Sequence, residues 1–257
     1  MVTAQEVAAF LDDLLSVEGF PDYPAALNGL QLEHHGPLRK VATAVDFSQR
    51  TIDATIATGA NMLVLHHGMF WGATGRLTGN AYRRLACLME HDIAVYAVHL
   101  PLDAHERVGN CTLLARALGL EPSSRFAEYQ GTPIGAAGEA LVPTSELLAR
   151  ADAFAGNLGG SARASGFNPQ HHTRRWAILT GSGADSTTLQ LCASGGIDTL
   201  VVGEGPHYTT VDAPEAGCVV IYAGHYATET LGVRALVPEI STRFGIAAEF
   251  LFLPTGS

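Results

Sequence analysis

Short apolar runs of strand length alternate with stretches of helical spacing along most of the chain, and this alternation implies strands paired mainly in parallel, with helices over both faces of a sheet. Thr3 and Glu6 form a capping-box pattern that opens a helix, with Val7, Phe10, Leu11, Leu14 and Leu15 on one stripe. After a turn around Pro21 and Pro24, the pieces NGLQLE and KVATAVDF read as strands, and TIDATIATGA reads as a helix ended by Gly59. NMLVLHHG is then a continuous apolar run that stops at two histidines. A helix over YRRLACLMEHD follows, and the strand IAVYAVHL runs into PLDAHERVGN.

The same order returns in the second half. RRWAILTGSG is a strand with a tight glycine turn, DSTTLQLCASGG has helical spacing, IDTLVVGEGPH is a strand ending at Glu204, and CVVIYAGHYATE closes the series. Tyr96, His99 and Asp103 stand against Tyr222, His225 and Glu229 at a constant offset, so both strands end in His-x-x-x-carboxylate. By the same comparison LVLHHG lies against LVVGEG, which puts Glu204 opposite His67. The expectation is two related three-layer α/β domains, the alternative being coincidence between apolar strands. Between the halves, residues 121–160 are rich in Gly, Pro and Ala, with a helix expected from Thr144 as its cap and a domain boundary near residue 124. FGIAAEFLFLP reads as a terminal strand, followed by a loose PTGS.

Composition narrows the function classes. A chain of 257 residues, 47% hydrophobic, can bury a large core. A formal net charge of -10 disfavours binding to long nucleic acid, which requires phosphate neutralisation. The first residues, MVTAQEVAAFLDDLL, lack a basic region followed by an apolar run, and no stretch reaches the roughly 18 apolar residues of a membrane helix, so a cytoplasmic protein is expected. Cys87, Cys111, Cys192 and Cys218 are scattered, as reduced thiols would be, and they form no thiolate zinc motif.

His66, His67, His99, Asp103, Glu204, His225 and Glu229 all fall at expected strand ends, where loops of a parallel sheet converge. Imidazoles and carboxylates suit divalent Zn, Fe, Mn, Ni or Co, and three or four histidines with two or three carboxylates exceed one ion's usual needs. A pair of ions about 3.5 to 4 Å apart, bridged by a carboxylate, would use them and would clamp a hydroxide; Asp103 is the expected bridge. His99 is either a ligand or a group that orients Asp103. The pairs His34-His35 and His171-His172 lack this strand-end context. Phe70 and Trp71 follow the histidines, where they either stack a base or pack at a subunit contact. No nucleophile elbow surrounds Ser182 or any cysteine.

NGLQLE, LVLHHGMFWG, VHLPLDAHERVGN and GEGPHYTTVDAPEAGCVVIYAGHYATE, taken in that order, resemble the signatures of the NIF-three-like dinuclear-metal-centre hexameric proteins, also called the GTP cyclohydrolase type 2 family. The resemblance spans residues 28 to 234. It implies two α/β domains with mainly parallel sheets, the first over 1–124 completed by 225–257 and the second over 125–224, assembled as a homo-hexamer. It carries a site for two divalent metal ions per subunit onto His66, His67, Asp103, His225 and Glu229. His99 and His207 match only as groups near the site, for substrate contact or proton transfer, and Glu204 joins them as a proton-transfer candidate from its strand-end position. The cyclohydrolase label implies attack of metal hydroxide on the imidazole ring of GTP or a related nucleotide, with loss of formate. The rival reading is a non-catalytic metal-binding scaffold or interaction protein.

Overall fold

The computed structural model describes residues 1–71 and 75–256. It divides into two compact units, one of residues 1–102 with 232–253, the other of residues 103–231 with the last residues from 254. Gly72, in the motif after the histidines, and Ser257, in the closing PTGS, lie outside the described residues.

The first unit is built on a five-stranded sheet. Its strands are β1 (Gly29–Leu32), β2 (Lys40–Asp46), β3 (Met62–His67), β4 (Ala94–Ala97) and β11 (Ala247–Phe250), in the order β1-β4-β3-β2-β11. β11, β2, β3 and β4 run parallel, and β1 closes the edge antiparallel to β4. The central parallel strands β2, β3 and β4 are buried on both faces, which explains why MLVLH reads as an unbroken apolar run. Ile52 of helix α2 (Gln49–Thr58) and Leu88 of α3 (Gly79–Glu90) pack with Leu63, Leu65 and Val95 in one core. Helix α1 (Ala4–Leu15) carries the expected capping box: Glu6 N–H donates to Thr3 Oγ1, and Thr3 N–H donates to the Glu6 carboxylate at 2.8 Å. Its buried stripe is Ala4, Val7, Ala8, Leu11 and Leu15, while Phe10 sits edge-on to Phe244 at 5.5 Å.

The second unit holds a six-stranded sheet in the order β5-β6-β8-β9-β10-β7. Its parallel centre is β8 (His172–Leu179), β9 (Thr199–Val202) and β10 (Val219–Tyr222). The hairpin β5 (Ser124–Tyr129) and β6 (Thr132–Pro143) extends one side antiparallel, and the short β7 (Arg163–Ala164) closes the other against β10. The hairpin is absent from the sequence reading, because its Gly, Pro and Ala content resembles a linker more than a strand. Gly135 and Gly138 are there for close packing: a Cβ on Gly138 would overlap the Trp176 ring, which is fully buried. Helix α6 (Thr144–Gly156) begins at Thr144 as expected, but Pro143 occupies the cap position. The Thr144 hydroxyl instead bonds His171 Nδ1 at 2.7 Å and Thr173 Oγ1 at 2.9 Å.

The internal repetition read from the sequence has a counterpart in topology. In each unit three consecutive parallel strands, β2-β3-β4 and β8-β9-β10, are flanked at the third strand by an antiparallel edge, β1 and β7 respectively. Among the described residues the four cysteines are free thiols, and no helix is long and apolar enough to cross a membrane.

Candidate functional site

In the first unit the chemistry gathers where β2, β3 and β4 end. Parallel pairing sets Asp46 beside His67 across β2 and β3, and the Val98 N–H donates to Leu65 O at 2.9 Å, so the segment after β4 continues alongside His66 and His67. His66, His67 and His99 thereby form a group in which one ligand atom from each lies within 4.8 Å of the others. Their ring centroids are 4.7 to 5.7 Å apart.

Each of these rings is oriented through Nδ1. His66 Nδ1 is 3.0 Å from Val98 O, a contact that requires the proton on that nitrogen. His67 Nδ1 lies 2.8 Å from Asp46 Oδ1, and His99 Nδ1 lies 2.8 Å from Asp22 Oδ1. With Nδ1 so engaged, Nε2 is the nitrogen that can bind a cation, the arrangement found where a carboxylate or carbonyl fixes a metal-binding imidazole. Asp22 is itself anchored, its Oδ2 accepting from Asn28 Nδ2 and from the Leu100 N–H, each at 2.9 Å. Burial would push its carboxyl upward, but the His99 imidazole, the Asn28 amide and the Leu100 N–H outweigh that and hold it below the usual range. Gly68 is required next: a Cβ there would overlap the Gln31 side chain and lie 2.5 Å from Ala97 Cβ.

In the second unit the carboxyl ends of β8, β9 and β10 are in register, Leu179 and Tyr222 both pairing with Val202. Three loops leave that edge side by side: Thr180-Gly181-Ser182, Gly203-Glu204-Gly205 and Ala223-Gly224-His225. His225 and Glu229 lie one turn apart at the start of helix α9 (His225–Phe244), with His225 Nε2 3.1 Å from Glu229 Oε2. His225 Nδ1 faces Glu204 Oε1 at 2.8 Å. Burial disfavours a charge on this imidazole, yet Glu229 and then Glu204 outweigh it and push its pKa up to about 9. The same hydrogen bond from His225 leads the causes that lower the Glu204 carboxyl. Asp103, in the short helix α4 (Leu100–Ala104), accepts through Oδ1 from Asn110 Nδ2 at 2.8 Å and Thr180 Oγ1 at 2.9 Å.

The turn after β8 is the organiser of this set. Thr180 holds Asp103, Ser182 Oγ donates to Glu204 Oε1 at 3.0 Å, and the Gly181 N–H donates to Thr228 Oγ1 at 3.1 Å. The expectation for TGSG was a tight turn, and Gly181, with φ of 61°, is one. Its further duty was not legible, since nothing in a glycine-rich turn announces which carboxylates it will face. Asp22, Asp46 and Asn110 were missed as well. The one usable signal was Asp46, which ends an apolar strand as His67 does.

Of the residues singled out from the sequence, His66, His67 and His99 meet in the first unit, and Glu204, His225 and Glu229 form one network in the second. His207 is different: it is the first residue of α8 (His207–Glu215), exposed, and outside the network that joins Ser182, Glu204 and His225.

The histidine group of the first unit could hold a divalent cation. His66, Asp103 and Glu229 are buried at 1%, 6% and 2% exposure, and buried carboxylates are costly unless paired, hydrogen-bonded or bound to metal. Imidazole and carboxylate donors without thiolate match open, water-accessible metal chemistry more than a closed structural zinc site. In Asp46→Ala we expect His67 to lose its orientation and metal affinity to fall about 10- to 100-fold. Titration with Zn(II) against a competing chelator measures this, and an unchanged affinity would separate Asp46 from metal binding.

Two α/β units, each carrying buried imidazole or carboxylate groups at strand ends, define an α/β protein with side-chain groups that could hold a metal ion. The Duf34/NIF3 (NGG1p interacting factor 3) family profile matches residues 2–255, and the chain belongs to that family. It is 40% identical to a GTP cyclohydrolase 1 type 2 homolog of Deinococcus radiodurans over 98% of this chain and 93% of that protein. A homolog of the same name from Halobacterium salinarum is also 40% identical, over 98% of both chains. Among solved structures, protein ybgI, described as of unknown function, superposes with a TM-score of 0.89 at 31% identity and full coverage of both chains.

Proposed function

We propose that this chain is a cytoplasmic, divalent-metal-dependent hydrolase that opens the purine ring of GTP or a related nucleotide. In this reading His66, His67, Asp103, His225 and Glu229 hold two ions drawn from Zn, Fe, Mn, Ni or Co. The observation that carries it is the histidine group of the first unit, in which each Nδ1 is held by a carbonyl or carboxylate oxygen and one ligand atom of each ring lies within 4.8 Å of the others. The names of the relatives from Deinococcus radiodurans and Halobacterium salinarum support the nucleotide as substrate.

The bound metal would supply hydroxide near neutral pH and polarise the bond under attack. The chain's own residues do the rest. Asp46 and Asp22 keep His67 and His99 in one tautomer, Thr180 and Asn110 aim Asp103, and Ser182 keeps Glu204 turned toward His225. Glu204 accepts a hydrogen bond from His225 Nδ1 and is assigned to proton transfer at the site, while His99 and the exposed His207 are assigned to proton exchange with the nucleotide. The homo-hexamer implied by the family resemblance is part of this proposal, and light scattering reads it directly.

Metal content per subunit and formate release from GTP, each before and after chelation, test the reading together. About two ions with formate release that stops on chelation and returns on metal addition is the expected result. Two ions without formate release across a nucleotide panel would sink the hydrolase and leave a metal-binding scaffold.

A further inference from the structure

The first unit leaves large apolar side chains open around its histidine group. Tyr23, Leu27 and Trp71 are 44%, 52% and 48% exposed. They are not scattered. Trp71 stands with its ring centroid 4.9 Å from His99 and 5.4 Å from His67, at 83° and 78° to those rings. Tyr23 lies 5.8 Å from His99, and Leu27 lines a slot, too narrow to admit water, together with Trp71 and His66. The Ala26 to Trp71 bridge fixes the backbone that carries the indole.

The amide side chains in this slot are already committed. Gln31 Oε1 accepts from the Met69 N–H at 2.7 Å and its Nε2 donates to Leu27 O at 2.6 Å. Asn28 donates to Asp22 and accepts from the His99 N–H at 2.8 Å. What remains for a ligand is aromatic and aliphatic surface held in a fixed plane beside imidazoles. That combination recognises a flat π-system by stacking and reads little of its hydrogen-bonding edge.

We infer that Trp71, with Tyr23 and Leu27 at its rim, is the stacking platform for the heteroaromatic ring of a nucleotide bound at the histidine group. The inference rests on the reading of that group as a substrate site. A second copy of the chain is the other occupant such a surface could take, but seated on Trp71 it would also cover His67 and His99, which the substrate must reach.

The chain has two tryptophans, and Trp176 is fully buried, so a change in emission on adding ligand reports Trp71. The test titrates the purified, metal-loaded protein with GMP, UMP and ribose 5-phosphate, following emission and, in parallel, heat of binding. GMP should quench saturably, UMP less, and ribose 5-phosphate not at all. By calorimetry Trp71→Phe should keep GMP affinity within about threefold, and Trp71→Ala should weaken it roughly ten-fold or more. Equal quenching by ribose 5-phosphate would overturn the inference, and so would emission that responds to protein concentration but not to GMP. The outcome also separates this inference from the hydrolase: quenching without formate release keeps the platform and removes the chemistry. Formate release that Trp71→Ala leaves unchanged does the reverse.

Discussion

Gly181→Ala should cost this protein both stability and metal, although it adds a single methyl group. Gly181 has φ of +61°, where a Cβ costs roughly 1–2 kcal/mol for an L-residue. That Cβ would also overlap Glu229 Oε1 and stand 3.2 Å from His225 Nε2. The carboxylate must move, and its 3.1 Å contact with His225 must be lost or redrawn. Gly59→Ala is the matching control: it has φ of +75° at the end of α2, with open space where its Cβ would go, so it carries the backbone cost alone. Both variants should therefore lower the urea midpoint, Gly181→Ala by more, and only Gly181→Ala should lower metal affinity, about ten-fold or more. Equal midpoints with metal binding intact in both would show that Glu229 is not held against the turn.

Why this turn was readable as a turn and not as part of a site is a matter of what sequence can encode locally. The strand β3 announces itself because burial on both faces demands an apolar run, and the two histidines break that run where the strand stops. His225 and Glu229 announce themselves because a spacing of four on a helix puts two side chains on one face. These signals are contained in a few neighbouring residues. Asp22 and His99, by contrast, are 77 residues apart, as are Thr180 and Asp103, and nothing at either end of such a pair specifies the other. The groups that hold the candidate ligands are therefore the part that had to wait for the fold. The β5-β6 hairpin was hidden for another reason. Its interior positions are Gly and Ala because Trp176 and neighbouring backbone press against them, so the packing that makes it a strand removes the bulky residues by which strands are recognised.

Asp103→Asn should separate the fold from the site more cleanly than any other single change. Two hydrogen bonds into this side chain converge on Oδ1, from Asn110 Nδ2 and Thr180 Oγ1, and an asparagine that keeps its carbonyl oxygen there retains these two. The geometry of α4 and the turn after β8 then persists, and the loss in unfolding free energy should stay within about 1 kcal/mol. What the amide cannot supply is negative charge and a second oxygen. An NH2 group occupies the other position, and it is a donor with no lone pair for a cation. If Asp103 bridges two ions, as the sequence leads us to expect, the variant should fold normally, carry less than one ion per subunit and release no formate from GTP, a fall of roughly a hundred-fold or more against the parent. Metal content and single-turnover formate release on the same preparation, with circular dichroism to establish folding, give the answer. A well-folded Asp103→Asn protein that kept both ions and its turnover would move the bridge to another carboxylate and reduce Asp103 to a partner of Thr180 and Asn110.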